Sequence, residues 1–183
     1  TPVRLLGREG QIRGNIVTVK LNQLYSKQEK YVLLEVIPAK GINAQEKPLA
    51  EVRVNYDNLG TKQKDSYKEA LAVRYTASAS EAKKAVIDEV LVDSAIQQMA
   101  LENEKAVKLM DEGKMSEAKS VLDKSARDLK ATPVASQRAM QKLQGPAAAN
   151  EALIQNLDSK DQNTSRKALK EQSFNVKKQN AAP

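Results

Sequence analysis

Hydrophobic and polar positions change their period once along this chain, near Ser78–Ser80. Before that point the period is two, the spacing of a strand with one face buried. Val17, Val19 and Leu21 alternate with Thr18 and Lys20, which predicts a strand over about Asn15–Leu24. Val32, Leu34 and Val36 predict a second over Tyr31–Ile37, ended by Pro38, and the short polar link Tyr25–Lys30 predicts a hairpin connection between the two. A third strand is expected over Leu49–Tyr56, with Val52, Val54 and Tyr56 on one face, Glu51, Arg53 and Asn55 on the other, and Leu49 out of step. Asp57-Asn58-Leu59-Gly60 reads as a turn into a fourth strand over Lys68–Thr76, where Leu71, Val73 and Tyr75 alternate with Ala72 and Arg74. Val3–Leu6 is a further candidate strand. Each of these is half apolar and needs a covering layer, so residues 1–79 predict a small antiparallel β-sandwich.

After the break the period becomes helical. Ser78 and Glu81 have capping-box spacing, with Ser80 an alternative N-cap, and an apolar stripe through Val92, Ile96, Met99, Ala106 and Met110, interrupted by Asn103, predicts a helix over Glu81–Asp111. Gly113 is the expected residue just past its end. Ser116 and Glu117 restart a helix whose face carries Ala118, Val121, Leu122, Ala126 and Leu129 until Thr132-Pro133 stops it, giving an antiparallel helical hairpin. A third helix is expected over Ala135–Gln144, broken at Gly145-Pro146, and a fourth over Ala147–Leu157. Asp158–Pro183 holds few apolar residues beyond Leu169, Phe174 and Val176, so a weakly helical or disordered basic tail is expected. The expected class is α+β, organised as a β-sandwich-like domain (1–79), an α-helical region (80–157) and the tail (158–183).

Composition narrows the chemistry. The 183 residues include neither His nor Cys. That excludes disulfides, thiolate nucleophiles, imidazole bases and zinc sites built on either residue. The net charge of +7 suggests an anionic partner, but it is spread. Residues 1–79 carry 13 basic against 8 acidic side chains, residues 80–157 carry 11 against 12, and residues 158–183 carry 6 against 3. Binding of nucleic acid or another anionic surface, through Arg166, Lys167, Lys170, Lys177 and Lys178 of the tail, is therefore the alternative function rather than the leading one. The paired carboxylates Asp88/Glu89, Glu102/Glu104 and Asp111/Glu112 fall on polar helix faces, where nothing desolvates them for acid–base work. Asp57, Asn58 and Asp65 lack the spacing of a calcium loop, and the glycines of Gly7–Gly14 lack the Gly-Lys-Ser/Thr that a phosphate loop requires. No catalytic, cofactor-binding or metal-ligating residue is expected, and no enzymatic activity. No apolar run reaches the roughly 20 residues of a membrane span. The start at Thr1-Pro2 suggests a piece of a longer protein.

The run from Gly14 to Pro38, with its Leu24-Tyr25-Ser26-Lys27-Gln28-Glu29-Lys30 turn, resembles the β-rich segment that follows the von Willebrand factor type A domain in many bacterial proteins. Val73-Arg74-Tyr75, the long helix and the Ala106–Leu122 hairpin are similar to that family's C-terminal helical extension. The resemblance covers about Gly14–Leu129. The type A domain's own metal-binding motif, Asp-x-Ser-x-Ser, is not matched: Asp123-Lys124-Ser125-Ala126-Arg127 lacks the second Ser. The resemblance implies a structural or protein–protein interaction module beside a ligand-binding domain, with the adjacent type A domain or another protein as partner. A cell-envelope or secreted location is the one it favours, while the composition is equally compatible with the cytoplasm. Arg53, Asn55, Arg74 and the helical hairpin are the candidate contact surfaces.

Overall fold

Six strands precede five helices in the computed structural model, which describes residues 1–25, 28–159 and 162–179. The strands are β1 (Pro2–Leu6), β2 (Gln11–Arg13), β3 (Ile16–Thr18), β4 (Leu33–Val36), β5 (Glu46–Asn58) and β6 (Gln63–Arg74). The helices are α1 (Ala79–Lys84), α2 (Asp88–Asp111), α3 (Met115–Lys130), α4 (Gln137–Ser159) and α5 (Gln162–Lys178). The class is α+β. Contacts divide the chain into two units, one of Thr1 with Val36–Val86, the other of Pro2–Glu35 with Ile87–Pro183.

The sandwich expected of residues 1–79 does not form among the described residues, because every sheet there has two strands: β1 with β4, β2 with β3, and β5 with β6. The strand expected over Asn15–Leu24 shortens to β3, and it pairs backward with β2 in the register Gln11↔Thr18, Ile12↔Val17 and Arg13↔Ile16. The hairpin expected between it and the Tyr31–Ile37 strand is replaced by pairing of β4 with β1. Leu21, Leu24 and Tyr25 are left exposed in irregular backbone, so their alternating pattern finds no layer to bury it. Ser26 and Lys27 of the expected link lie outside the described residues.

In the first unit, β5 and β6 form a long ribbon in which Leu49 sits at a register shift between Pro48 and Ala50, the position already out of step in the sequence. Its far end is closed by Asn58, whose Oδ1 accepts from the Gly60 and Thr61 backbone N–H groups at 3.1 and 3.3 Å and whose Nδ2 donates to Asp65 at 2.8 Å. The oxygen-rich Asp57–Asp65 segment is thus spent on a turn. The Ser78 hydroxyl caps α1 by accepting from Glu81 N at 3.2 Å. The single helix expected over Glu81–Asp111 is interrupted at residues 85–87. Two consecutive β-branched residues there, Val86 and Ile87, remain exposed, while Asp88 and Glu89 place negative charge where a new helix start favours it.

The second unit is built around four helices. The core of α2 uses Val92, Ile96, Met99, Ala106 and Val107, that of α3 uses Ala118, Leu122 and Leu129, and α4 adds Ala139, Leu143 and Ile154. Gly113, at φ +76, ends the α2 segment as its position implied, and Lys114 N then donates back to Leu109 O.

The break expected at Gly145-Pro146 does not occur: α4 runs through both residues. The steric conflict that usually turns the residue before proline out of helical geometry involves that residue's Cβ, which Gly145 lacks, and Ala147–Ala149 then favour continuation. Residues 162–178, expected to be weakly helical or disordered, form α5 with Ser165, Leu169 and Ser173 buried. Residues 160, 161 and 180–183 of that segment lie outside the described residues.

The start of α4 is held by a side chain from another helix. The Asp88 carboxylate accepts from the Ala135 and Ser136 backbone N–H groups at 3.1 and 2.6 Å, and these bonds, Ser136 foremost, hold its pKa below the ordinary carboxylate value. The bonds favour the charged form, so their contribution to stability is complete above the unfolded-state pKa near 4 and is lost as pH falls through the lowered folded-state value. Asp88→Asn should therefore remove part of the acid sensitivity of this unit in urea melts at pH 7 and pH 3. Equal losses of stability on acidification in wild type and variant would count against the capping role.

Candidate interaction surface

Directly paired residues in an antiparallel ladder point to the same face, so the β5–β6 register decides what each side of the ribbon displays. The pairs Ala50↔Leu71, Val52↔Glu69, Val54↔Tyr67 and Tyr56↔Asp65 put Val52, Val54, Tyr56, Tyr67 and Leu71 on one face. The pairs Glu51↔Ala70, Arg53↔Lys68, Asn55↔Ser66 and Asp57↔Lys64 make the other face polar. On that polar face the like charges of Arg53 and Lys68 are bridged by Glu51, at 3.2 and 2.8 Å, and the Lys68 bond foremost lowers the Glu51 pKa.

The apolar face is about half exposed. That is, its five large residues are 41–57% exposed, and among the described residues no third strand pairs with either edge. A two-stranded ribbon in water is marginal without a packed face. The largest exposed apolar patches of soluble proteins, roughly 300–600 Å², are often functional. Asp65 and Glu69 lie within it, and Glu69 accepts from the Tyr67 hydroxyl at 2.6 Å, so the Tyr67 pKa is raised.

The residues singled out for contact separate on this ribbon. Arg53 and Asn55 sit together on the polar face, whereas Arg74 is at the base, opposite Glu46. Sequence alternation identified Val52, Val54 and Tyr56 as one face, but assigned them to a buried layer. Tyr67 fell outside the expected strand, since Gln63–Tyr67 is too polar to alternate visibly and joins β6 because a ribbon open on both faces tolerates polar residues.

Two of the five candidate tail cations, Arg166 and Lys177, are paired with carboxylates of their own unit. Arg166 makes a bidentate ion pair with Asp111, which raises the Arg166 pKa and lowers that of Asp111. Lys177 pairs with Glu104 at 2.8 Å, and Lys178 lies 5.8 Å from the centre of the Phe174 ring. The suspect carboxylates are engaged in the same way: Asp88 caps α4, Glu102 lies 4.0 Å from Lys105, and Glu112 pairs with Lys114 at 2.7 Å. A groove of about 660 Å³ along α3 and α4 is lined by Ser116, Ser120, Asp123, Arg127 and Glu151, and Glu151 is ion-paired with Lys130. Among the described residues no cluster of three or more acidic side chains is placed to hold a metal ion, and no helix is long and apolar enough to cross a membrane.

A second polar cluster escaped the sequence reading. Gln97, 1% exposed on α2, donates through Nε2 to the Tyr31 hydroxyl at 3.2 Å and to Val176 O at 3.1 Å. Arg8 donates to Tyr31 O at 2.8 Å and to Gln179 Oε1, and Gln179 Nε2 donates to the same Tyr31 carbonyl at 2.9 Å. Burial, partly offset by the Gln97 bond, raises the Tyr31 pKa, and burial lowers that of Arg8. These groups tie the N-terminal segment to the end of α5. Compared with known proteins, the chain matches no family model, no curated protein and no solved structure.

Proposed function

We propose that this chain is a non-enzymatic interaction module, the C-terminal part of a protein carrying a von Willebrand factor type A domain, and that the β5–β6 ribbon docks through its apolar face on a folded partner. The single observation that supports docking is the uncovered strip of Val52, Val54, Tyr56, Tyr67 and Leu71. A partner layer, from the adjacent type A domain or another protein, would supply the second sheet of a sandwich that the alternating pattern calls for. The acidic Asp65 and Glu69 within the strip favour a partner surface with Lys or Arg at its margin. Binding of an anionic surface has less support, because Arg166 and Lys177 are already paired with carboxylates.

Association of the full-length protein's type A domain with this region tests the proposal. Tyr67→Ser combined with Val54→Thr keeps strand-compatible residues in a face that points outward, and it should weaken association by at least ~10-fold, the scale for losing a central aromatic anchor. Unchanged affinity, or a full-length chain without an upstream type A domain, would sink it.

A further inference from the structure

One polar side chain from each of four helices lies at a common level of the bundle. Along α2, inward positions recur in steps of four and three: Val92, Ile96, Met99, Asn103, Ala106 and Met110, with Asn103 where an apolar residue is otherwise found. Ser125 lies between Leu122 and Leu129 on α3, Asn150 between Leu143 and Ile154 on α4, and Ser173 between Leu169 and Val176 on α5. Asn103 and Asn150 are 0% exposed, Ser173 1% and Ser125 6%.

The flanking residues confirm the level. Met99, Leu129, Leu143 and Val176 belong to one apolar cluster, and Ala106, Leu122, Ile154 and Leu169 to the other. The four polar residues therefore separate two apolar layers.

Only part of this polar layer is satisfied by protein groups. The Ser173 hydroxyl donates to backbone carbonyl oxygens, with Leu169 O at 2.9 Å and Ala100 O at 3.2 Å, and Asn103 Nδ2 donates to Gln172 Oε1 at 2.8 Å. Among the described residues, Asn103 Oδ1 and both polar atoms of Asn150 have no hydrogen-bond partner. Buried polar groups are rarely left so, because desolvation without a new bond is unfavourable. In the structure the two amides do not bond to each other, so neither satisfies the other's carbonyl oxygen. A molecule that both donates and accepts completes the set, and water is the one small enough for a level between two packed clusters.

We propose that the Asn103/Asn150 level is an internal water-binding site, with ordered water bridging the two amides across the bundle. The bridge requires both amides at one height, so it also fixes the axial alignment of α2 and α4. Two-dimensional NMR of the intact, isotope-labelled chain tests it. The side-chain amide protons of Asn150 should show cross-peaks to water of opposite sign in laboratory-frame and rotating-frame Overhauser spectra, the signature of water held far longer than surface hydration water. Absence of those peaks overturns the proposal. Asn103→Leu should reduce them several-fold by removing one side of the bridge, and retention at full intensity in a folded variant overturns the bridging. Ser173→Ala, whose hydroxyl is already bonded to backbone, should leave them unchanged; their loss in that variant would also overturn the assignment to the two amides.

Discussion

Leu122→Ala should lower the unfolding free energy of the helical unit by about 2–5 kcal/mol, the range for emptying a fully buried leucine site. Leu122 is 0% exposed and meets Ala106, Val107, Ala118, Ile154 and Leu169 in one cluster, so a single side chain joins α2, α3, α4 and α5. Two of those neighbours are alanines with no side chain to swing into the void. That limits relaxation and places the loss in the upper part of the range. The damage should spread unevenly. The other large buried residue in this cluster from α5 is Leu169, since Ser165 and Ser173 bring little apolar area to the interface, so α5 loses its main anchor when Leu122 is truncated. Urea melts followed by far-UV circular dichroism give the total, and hydrogen exchange of residues 162–178 reports the local part. A loss under about 1 kcal/mol would show that the site collapses or that Leu122 is not central to the core.

What the sequence disclosed and what it withheld divide by range of interaction. Local chemistry was legible: the Ser78 cap, the stop at Thr132-Pro133, Gly113 past the end of α2, and the common face of Val52, Val54 and Tyr56 each follow from residues a few positions apart. Partner choice was not. Alternation at Val17, Val19 and Leu21 specifies a strand with two sides but not a neighbour, and pairing of β3 with β2 rather than with the Tyr31–Ile37 segment left the rest of that pattern exposed. Gly145-Pro146 read as a break because each residue alone weakens a helix, yet Gly145 has no Cβ to meet the proline ring, and α4 continues through both. The α5 segment looked too polar to dock because its buried face is mostly Ser. That face is legible only beside α2, where Ser173 meets the Ala100 carbonyl and Gln172 meets Asn103. The interruption at Asn103 was visible in the stripe, but its meaning required the matching positions on three other helices. Gln97 left no signal of its own, being a polar residue next to an apolar stripe with partners 66 and 79 positions away.

Gly7→Ala should be the second most damaging single change, and it tests that same Gln97 cluster. Gly7 has φ +71, where an L side chain costs about 1–2 kcal/mol, and a Cβ built on it would overlap the Gln97 side-chain amide. The contact cannot be relieved cheaply. Gln97 is 1% exposed and its Nε2 holds both the Tyr31 hydroxyl and the Val176 carbonyl, so moving the amide aside leaves buried groups unpaired, at about 1–3 kcal/mol. The expected total is about 2–5 kcal/mol. A double-mutant cycle separates its two parts: with Gln97→Ala already in place, the overlap is gone and Gly7→Ala should cost only the backbone strain. The coupling between the two sites should then be about 1–3 kcal/mol, with the double variant more stable than the sum of the single losses implies. Because Gln97 and Arg8 both bind the Tyr31 residue that Gln179 also holds, Gly7→Ala should in addition speed exchange at the end of α5, far from residue 7 in sequence. Strict additivity across the cycle would mean that glycine is needed at position 7 for its φ angle alone and that the close approach to Gln97 carries no energy.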